Sequence, residues 1–255
     1  MMPAAARRLV GVLLTAAALL ASGIPATALN VQPVIIDLLS SGRRTSTVLT
    51  LQNTFSTTVP VELTARRLDV VDGELRETDV EAEDLLVFPA QATVEPGQSQ
   101  AFRIQWVGAP EIQASQHFFV TVAQLPVVLP ENQNAIQVLY NFKVLVSVGA
   151  PGAVSALAVQ SVAIETGEDG VGRPVLMVSN SGNTYGYVGK NRLTLVQRAP
   201  NGDEILRESW EPEQLQQLMG LGLVPSGATR RLPINIRLPQ PNGAVTVELT
   251  PVQDR

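Results

Sequence analysis

A single imidazole, His117, limits the proton-transfer and metal chemistry open to this sequence, because a His-based triad or a multi-histidine metal site has at most one candidate member here. It stands in Ser115-Gln116-His117-Phe118-Phe119, at the start of an apolar run, where it reads as a rim imidazole satisfied by a local hydrogen bond. Acidic residues gather over positions 74–84, and several carboxylate oxygens are what a calcium ion needs. Their spacing matches no EF-hand loop, so they read instead as a charged hairpin edge that discourages unwanted strand pairing. Gly167, Gly170 and Gly172 surround Glu168 and Asp169, whose charge would repel a phosphate. With no cysteine, thiol catalysis, disulfides and sulfur-rich zinc sites are excluded. Glycoside chemistry would need two carboxylates facing across an aromatic groove, and aromatics make up only 4% of the chain. The sequence therefore offers no catalytic residue, no metal-ligand set and no cofactor motif, and it reads as a non-enzyme.

What remains is binding. The charged fraction is 16% and the net charge is −5, so there is no basic stripe to neutralise phosphates and nucleic acid is not an expected partner. Arg7 and Arg8 precede an uncharged apolar run over residues 9–20, and Ala26-Thr27-Ala28 supplies a small-x-small cleavage site. Residues 1–28 thus read as a removable export signal. The apolar run is shorter than the roughly 20 residues a spanning helix requires, so no stable membrane insertion is expected. Lacking disulfides, an exported chain must rely on packing, which favours domains of about 100 residues or more.

From Leu29 onward, runs of β-branched or alternating apolar residues are separated by Gly, Pro, Asn, Asp and Ser clusters, the pattern of an all-β protein. Strands are expected over residues 30–38, 45–52, 59–70, 86–88, 100–106, 117–124 and 135–148. That number of short strands fits an immunoglobulin-like sandwich, although a closed barrel would use similar ones. Gly149-Ala150-Pro151-Gly152 continues neither a strand nor a helix and marks the expected boundary between a domain of residues 29–149 and one of residues 150–255. Six more strands are expected in the second domain. Residues 212–223 read as a short helix or, given Gly220 and Gly222, a loop. The expected fold class is all-β, with two immunoglobulin-like β-sandwich domains.

One segment stands out. Ile136, Val138, Tyr140, Phe142, Val144, Val146 and Val148 share one parity, so an extended chain places them on a single face about 40 Å long. The other face is mixed, and Lys143 carries its only full charge. A strand of this length exceeds the five or six residues usual in a sandwich. Either the face is ordinary core and the strand ends early, or its excess is an exposed edge that pairs with an incoming chain.

Several blocks resemble the periplasmic chaperones of the chaperone–usher pilus pathway, and the resemblance runs from Leu29 to the C-terminus. They include Val31-Gln32-Pro33-Val34-Ile35-Ile36-Asp37-Leu38, Leu49-Thr50-Leu51-Gln52-Asn53, and the stretch from Leu86 to Ile104 with its Phe88-Pro89, Pro96-Gly97 and Arg103-Ile104 spacing. Ser115-Gln116-His117-Phe118-Phe119-Val120 with Leu125-Pro126 is similar to the next family signature, although Phe118-Phe119 replaces its usual Tyr-Arg pair. Val178-Ser179-Asn180-Ser181-Gly182-Asn183 and residues 223–231 resemble second-domain motifs of the archaic branch, which serves spore-coat-U-type subunits.

The resemblance implies a non-enzymatic periplasmic protein that binds an exported fimbrial subunit by donor-strand complementation and delivers it to an outer-membrane usher. Ile136, Val138, Tyr140 and Phe142 occupy the matching donor positions. The family also holds the subunit's C-terminal carboxylate with an Arg in the first strand and a Lys late in the donor strand. Lys143 matches the Lys, whereas Ile35 stands where the Arg would be, leaving the anchoring pair incomplete. The competing expectation is a cell-surface structural or adhesive sandwich protein that binds an extracellular ligand through its loops.

Overall fold

The computed structural model describes residues 28–127 and 138–252. The expected export signal, apart from Ala28, and the donor residue Ile136 lie outside the described residues.

The first half of the chain contains β1 (Leu29–Gln32), β2 (Ile35–Leu39), β3 (Ser46–Asn53), β4 (Val59–Val71), β5 (Glu74–Glu81), β6 (Leu85–Phe88), β7 (Gln91–Val94), β8 (Ser99–Trp106), β9 (Gln116–Gln124) and β10 (Asn141–Gly149). One sheet has the order β1-β3-β8-β6; the other runs β2-β10-β9-β4-β5, with β7 also pairing to β4. Pro33 has no backbone N–H to give a ladder, and around it the chain leaves the first sheet and enters the second. The two inner faces meet in one core. Leu49, Leu51, Phe102 and Ile104 come from one sheet and Phe118, Val120, Val122, Val144, Val146 and Val148 from the other. The period-two alternation of buried positions along β8 and β9 follows from pleating, which sends successive side chains to opposite faces. Each fully buried Val, Leu or Phe contributes roughly 1.5–3 kcal/mol relative to exposure.

The second half contains β11 (Leu157–Thr166), β12 (Gly172–Asn180), β13 (Gly186–Tyr187), β14 (Asn191–Arg198), β15 (Glu204–Trp210), α1 (Pro212–Met219), β16 (Leu223–Val224), β17 (Thr229–Pro233) and β18 (Ala244–Pro251). Its sheets run β11-β12-β17, β13-β16 and β15-β14-β18 around a separate core that includes Leu176, Val178, Leu193, Leu195, Leu215 and Ile234. The segment expected as helix or loop is both in turn. Glu211 and Gln214 form a capping box around Pro212 at the helix start, and Gly220, at φ 69°, ends the helix in a conformation that suits glycine.

Both halves use the same buried amide. The Nδ2 of Asn53, closing β3, donates to the carbonyls of Thr57 and Val94, each at 2.9 Å. The Nδ2 of Asn180, closing β12, donates to the carbonyls of Thr184 (2.7 Å) and Val224 (3.0 Å). Each side chain ties the turn after its strand to a second element, one acceptor lying in the turn and the other in a neighbouring strand, Val94 of β7 or Val224 of β16.

A polar seam joins the halves. Tyr185 and Tyr187 donate their hydroxyls to Asp37 Oδ1 at 2.9 and 2.7 Å, and Lys190 Nζ lies 3.5 Å from Asp37 Oδ2. Burial, reinforced by the Asp37 charge, pushes both phenols above their ordinary pKa, which keeps them hydrogen-bond donors. A second tie runs from the β4–β5 turn, where the Gly73 carbonyl accepts from Arg231 N at 2.8 Å and Arg230 Nε at 3.3 Å.

Candidate functional site

The long apolar segment divides within β10. Residues Leu145–Gly149 pair in parallel with Ile35–Leu39 on one side and antiparallel with β9 on the other, so this half is interior to its sheet. Residues 141–144 have only β9 as a ladder neighbour among the described residues. Before them, one last backbone bond joins Gln124 N to the Tyr140 carbonyl at 2.9 Å, and Val138 and Leu139 belong to no strand. The expected strand over 135–148 is therefore corrected among the described residues: it begins at Asn141, because β9 ends at Gln124, whose bond to Tyr140 is the last of the ladder, and residues 135–137 lie outside the described residues. The expected exposed edge is likewise confined to the first part of β10, since β2 covers the rest.

Burial follows the same division. Val144, Val146 and Val148 are fully buried, whereas Val138 is 67% and Tyr140 42% exposed. Phe142 is half-buried and packs against the first core. Tyr140 lies beyond it, its ring 6.4 Å from Phe142 and stacked at 15°, and 5.8 Å from the ring of Phe55. The described donor residues Val138, Tyr140 and Phe142 thus continue the core's apolar stripe into solvent, and Phe55 supports the stripe from the loop before β4. Periodicity could not nominate Phe55, which lies in a loop outside any strand pattern.

Lys143 lies on the opposite face of the sheet. Ile36 and Leu38 fill the core, so Ile35 and Asp37 of β2 face the same way as Lys143 and Leu145 of β10. Ile35 pairs directly with Leu145, which places it one diagonal step from Lys143. An Arg at this position would have lain beside the Lys. Instead, the Lys143 ammonium sits 5.3 Å from the ring centroid of Phe119 and forms an ion pair with Glu77 of β5. The acidic hairpin edge expected over residues 74–84 is β5 and its flank, and Glu77 gives it a partner that its spacing did not reveal.

The same face carries the seam at its far end. His117 is buried; its Nδ1 lies 3.0 Å from Ser147 Oγ and its Nε2 3.1 Å from Ser115 Oγ. Burial lowers its pKa to about 4, against a smaller opposing effect from Asp37. The expected local hydrogen bond is present, with Tyr185 packed edge-on at 5.4 Å. Among the described residues, no group of three or more His, Asp or Glu could hold a metal ion, and no helix is long and apolar enough to cross a membrane.

No protein-family model matches the chain, and no curated protein matches it in sequence. Solved structures do match in fold. One comes from a study of a chaperone–tip adhesin complex in CFA/I fimbriae biogenesis, with a TM-score of 0.52 at 12% identity, covering 89% of this chain and 94% of that one. The class 5 fimbriae chaperone CfaA gives 0.50 at 13% identity, with the same coverages, and the YadV chaperone gives 0.50 at 12% identity over 87% of this chain and 91% of that one. The chain is an all-β protein with the immunoglobulin-like sandwich architecture of these two-domain structures, as its strand pattern predicts.

Proposed function

We propose that this protein is a periplasmic, non-enzymatic chaperone that captures an exported fimbrial subunit by donor-strand complementation and passes it to an outer-membrane usher. The observation that carries the reading is the exposed end of the β10 stripe. Val138 and Tyr140 share the parity of a buried core but are exposed, and among the described residues no sheet covers them and residues 141–144 have a ladder neighbour on one side only. A subunit missing a strand has the complementary deficit, an apolar slot and unpaired backbone groups, and both deficits are met when the stripe enters the slot. Ile136, Val138, Tyr140 and Phe142 are the donor residues, and Lys143 is the anchor for the subunit's C-terminal carboxylate. The working units are residues 29–149 and 150–255, after removal of signal residues 1–28. The likeness of residues 178–183 and 223–231 to second-domain motifs of the archaic branch supports assigning the protein to that branch.

Release needs no nucleotide, because a better-fitting strand from the next subunit can exchange with the borrowed one. The test is co-expression of the tagged protein with a fimbrial subunit. The subunit should co-purify with the native protein and be lost with the double substitution Ile136→Asp, Val138→Asp, whose own thermal unfolding should be unchanged. Undiminished co-purification would reject strand donation through this segment.

A further inference from the structure

We propose that Glu77 is an internal stand-in for the carboxylate that Lys143 binds, so that a chain terminus docks by replacing one carboxylate with another. The inference rests on the reading of Lys143 as the anchor and adds to it a competitor built into the fold. Lys143 and Glu77 are distant in the sheet order, since β9 and β4 lie between β10 and β5. The ammonium nevertheless lies near the Phe119 ring on β9 and meets Glu77 on β5. The Glu77 side chain is only 23% exposed, against 52% for Lys143, so the carboxylate is the more sheltered member and the ammonium the more accessible one.

The position of Glu77 is set by its hairpin. The β4–β5 turn is held to the second half of the molecule through the Gly73 carbonyl, and Glu74 beside it lies 4.0 Å from Arg231. Glu77, opposite Leu68 in the ladder, is thereby kept over the outer face of the sheet. The cations of β4 and β5 are engaged differently: Arg66 donates to the Asp79 carbonyl, Arg67 pairs with Asp84, and Arg76 with Glu74. With Ile35 in place of a second cation, a single ammonium meets a single resident carboxylate. A ligand that presents no carboxylate leaves the Lys143–Glu77 pair intact, whereas one that does can take over both the charge and the position near Phe119. Glu77 thus weakens carboxylate binding and makes it conditional on exchange.

The test uses the mature chain and two fluorescent ten-residue peptides of alternating Val and Thr, one ending in a free carboxylate and the other in an amide. The native protein should prefer the acid. Glu77→Gln should tighten acid binding by about two- to fivefold, the range of a partly exposed ion pair, and leave amide binding unchanged. Lys143→Gln should abolish the preference, and adding Glu77→Gln to it should do nothing further. A preference that needs Lys143 but is unmoved by Glu77→Gln overturns the stand-in while leaving the anchor. Equal binding of acid and amide by the native protein, or no binding of either, overturns both. Thermal unfolding of each variant establishes that it is folded.

Discussion

Val146 and Val138 are the same residue type on one face of one segment, yet Val146 is fully buried and Val138 is 67% exposed. The difference lies in what surrounds them. Val146 has β9 on one side, β2 on the other and the opposing sheet above it. Val138 lies beyond the end of β9 and has no ladder partner among the described residues. Alternation fixes which way a side chain points, and neighbouring strands decide whether anything meets it. Burying an exposed Val is worth roughly 1.5–3 kcal/mol, so the uncovered end of the stripe holds binding energy that the molecule itself does not use.

The comparison can be broken most severely with one substitution made at both places. Val146→Asp would bury a carboxylate with no partner and should cost more than about 4 kcal/mol, leaving little folded protein in a urea titration. Val138→Asp should change stability by less than about 0.5 kcal/mol and abolish subunit co-purification. A large loss of stability from Val138→Asp would mean that the exposed end is structural, and the contrast between the two halves would fail.

Much of this division was legible before the fold was known, because a strand has period two and the even positions from 144 to 148 are all valine. Where the stripe stops being covered was not legible. That point depends on β2 joining the sheet in parallel after Pro33, and on β9 ending at Gln124, neither of which leaves a mark within residues 136–148. The Lys143–Glu77 pair was hidden for the same reason: its members are 66 residues apart, and Glu77 reads locally as one acid among many. The seam was more remote still, with Tyr185 and Tyr187 reaching Asp37 across 148 and 150 residues. Asn53 and Asn180 were visible as motif residues, but their shared role as buried donors between a turn and a neighbouring strand required the fold that brings the two together.

The outer side of β10 offers a second, smaller contrast, between buried Ser147 at the seam and exposed Lys143 beyond it. His117 packs against Ser147, and its pKa is lowered to about 4 from an ordinary 6.5. Between those values the unfolded chain binds a proton that the folded protein excludes, so stability should fall as pH drops from 6.5 toward 4 and then level off in this contribution. The full effect is up to about 3 kcal/mol. Carboxylates titrate in the same window, so the measurement is the difference in urea-derived stability between the native protein and His117→Gln as a function of pH. The variant should lack the His117 part of the slope, and identical slopes would show that the imidazole gains its proton without loss of packing.

The smallest expected effect sharpens the contrast at Lys143 itself. Ile35→Arg would place a second cation one diagonal step from Lys143, on a half-buried outer-face position that leaves Ile36 and Leu38 undisturbed in the core. Stability should shift by no more than about 0.5 kcal/mol. Preference for the free-carboxylate peptide over its amide should rise about two- to fivefold, and the gain should shrink between about 0.05 and 0.5 M salt, as expected for exposed charges. With Asp37 on the same face already held by Tyr185, Tyr187 and Lys190, the peptide terminus and Glu77 are the carboxylates that a new guanidinium here is tested against. If it pairs with Glu77 and frees Lys143, the peptide gain should persist, and Glu77→Gln added to it should give less than it does alone. If both cations act on the peptide, the two substitutions should instead multiply, and this difference distinguishes a vacated anchor from a doubled one.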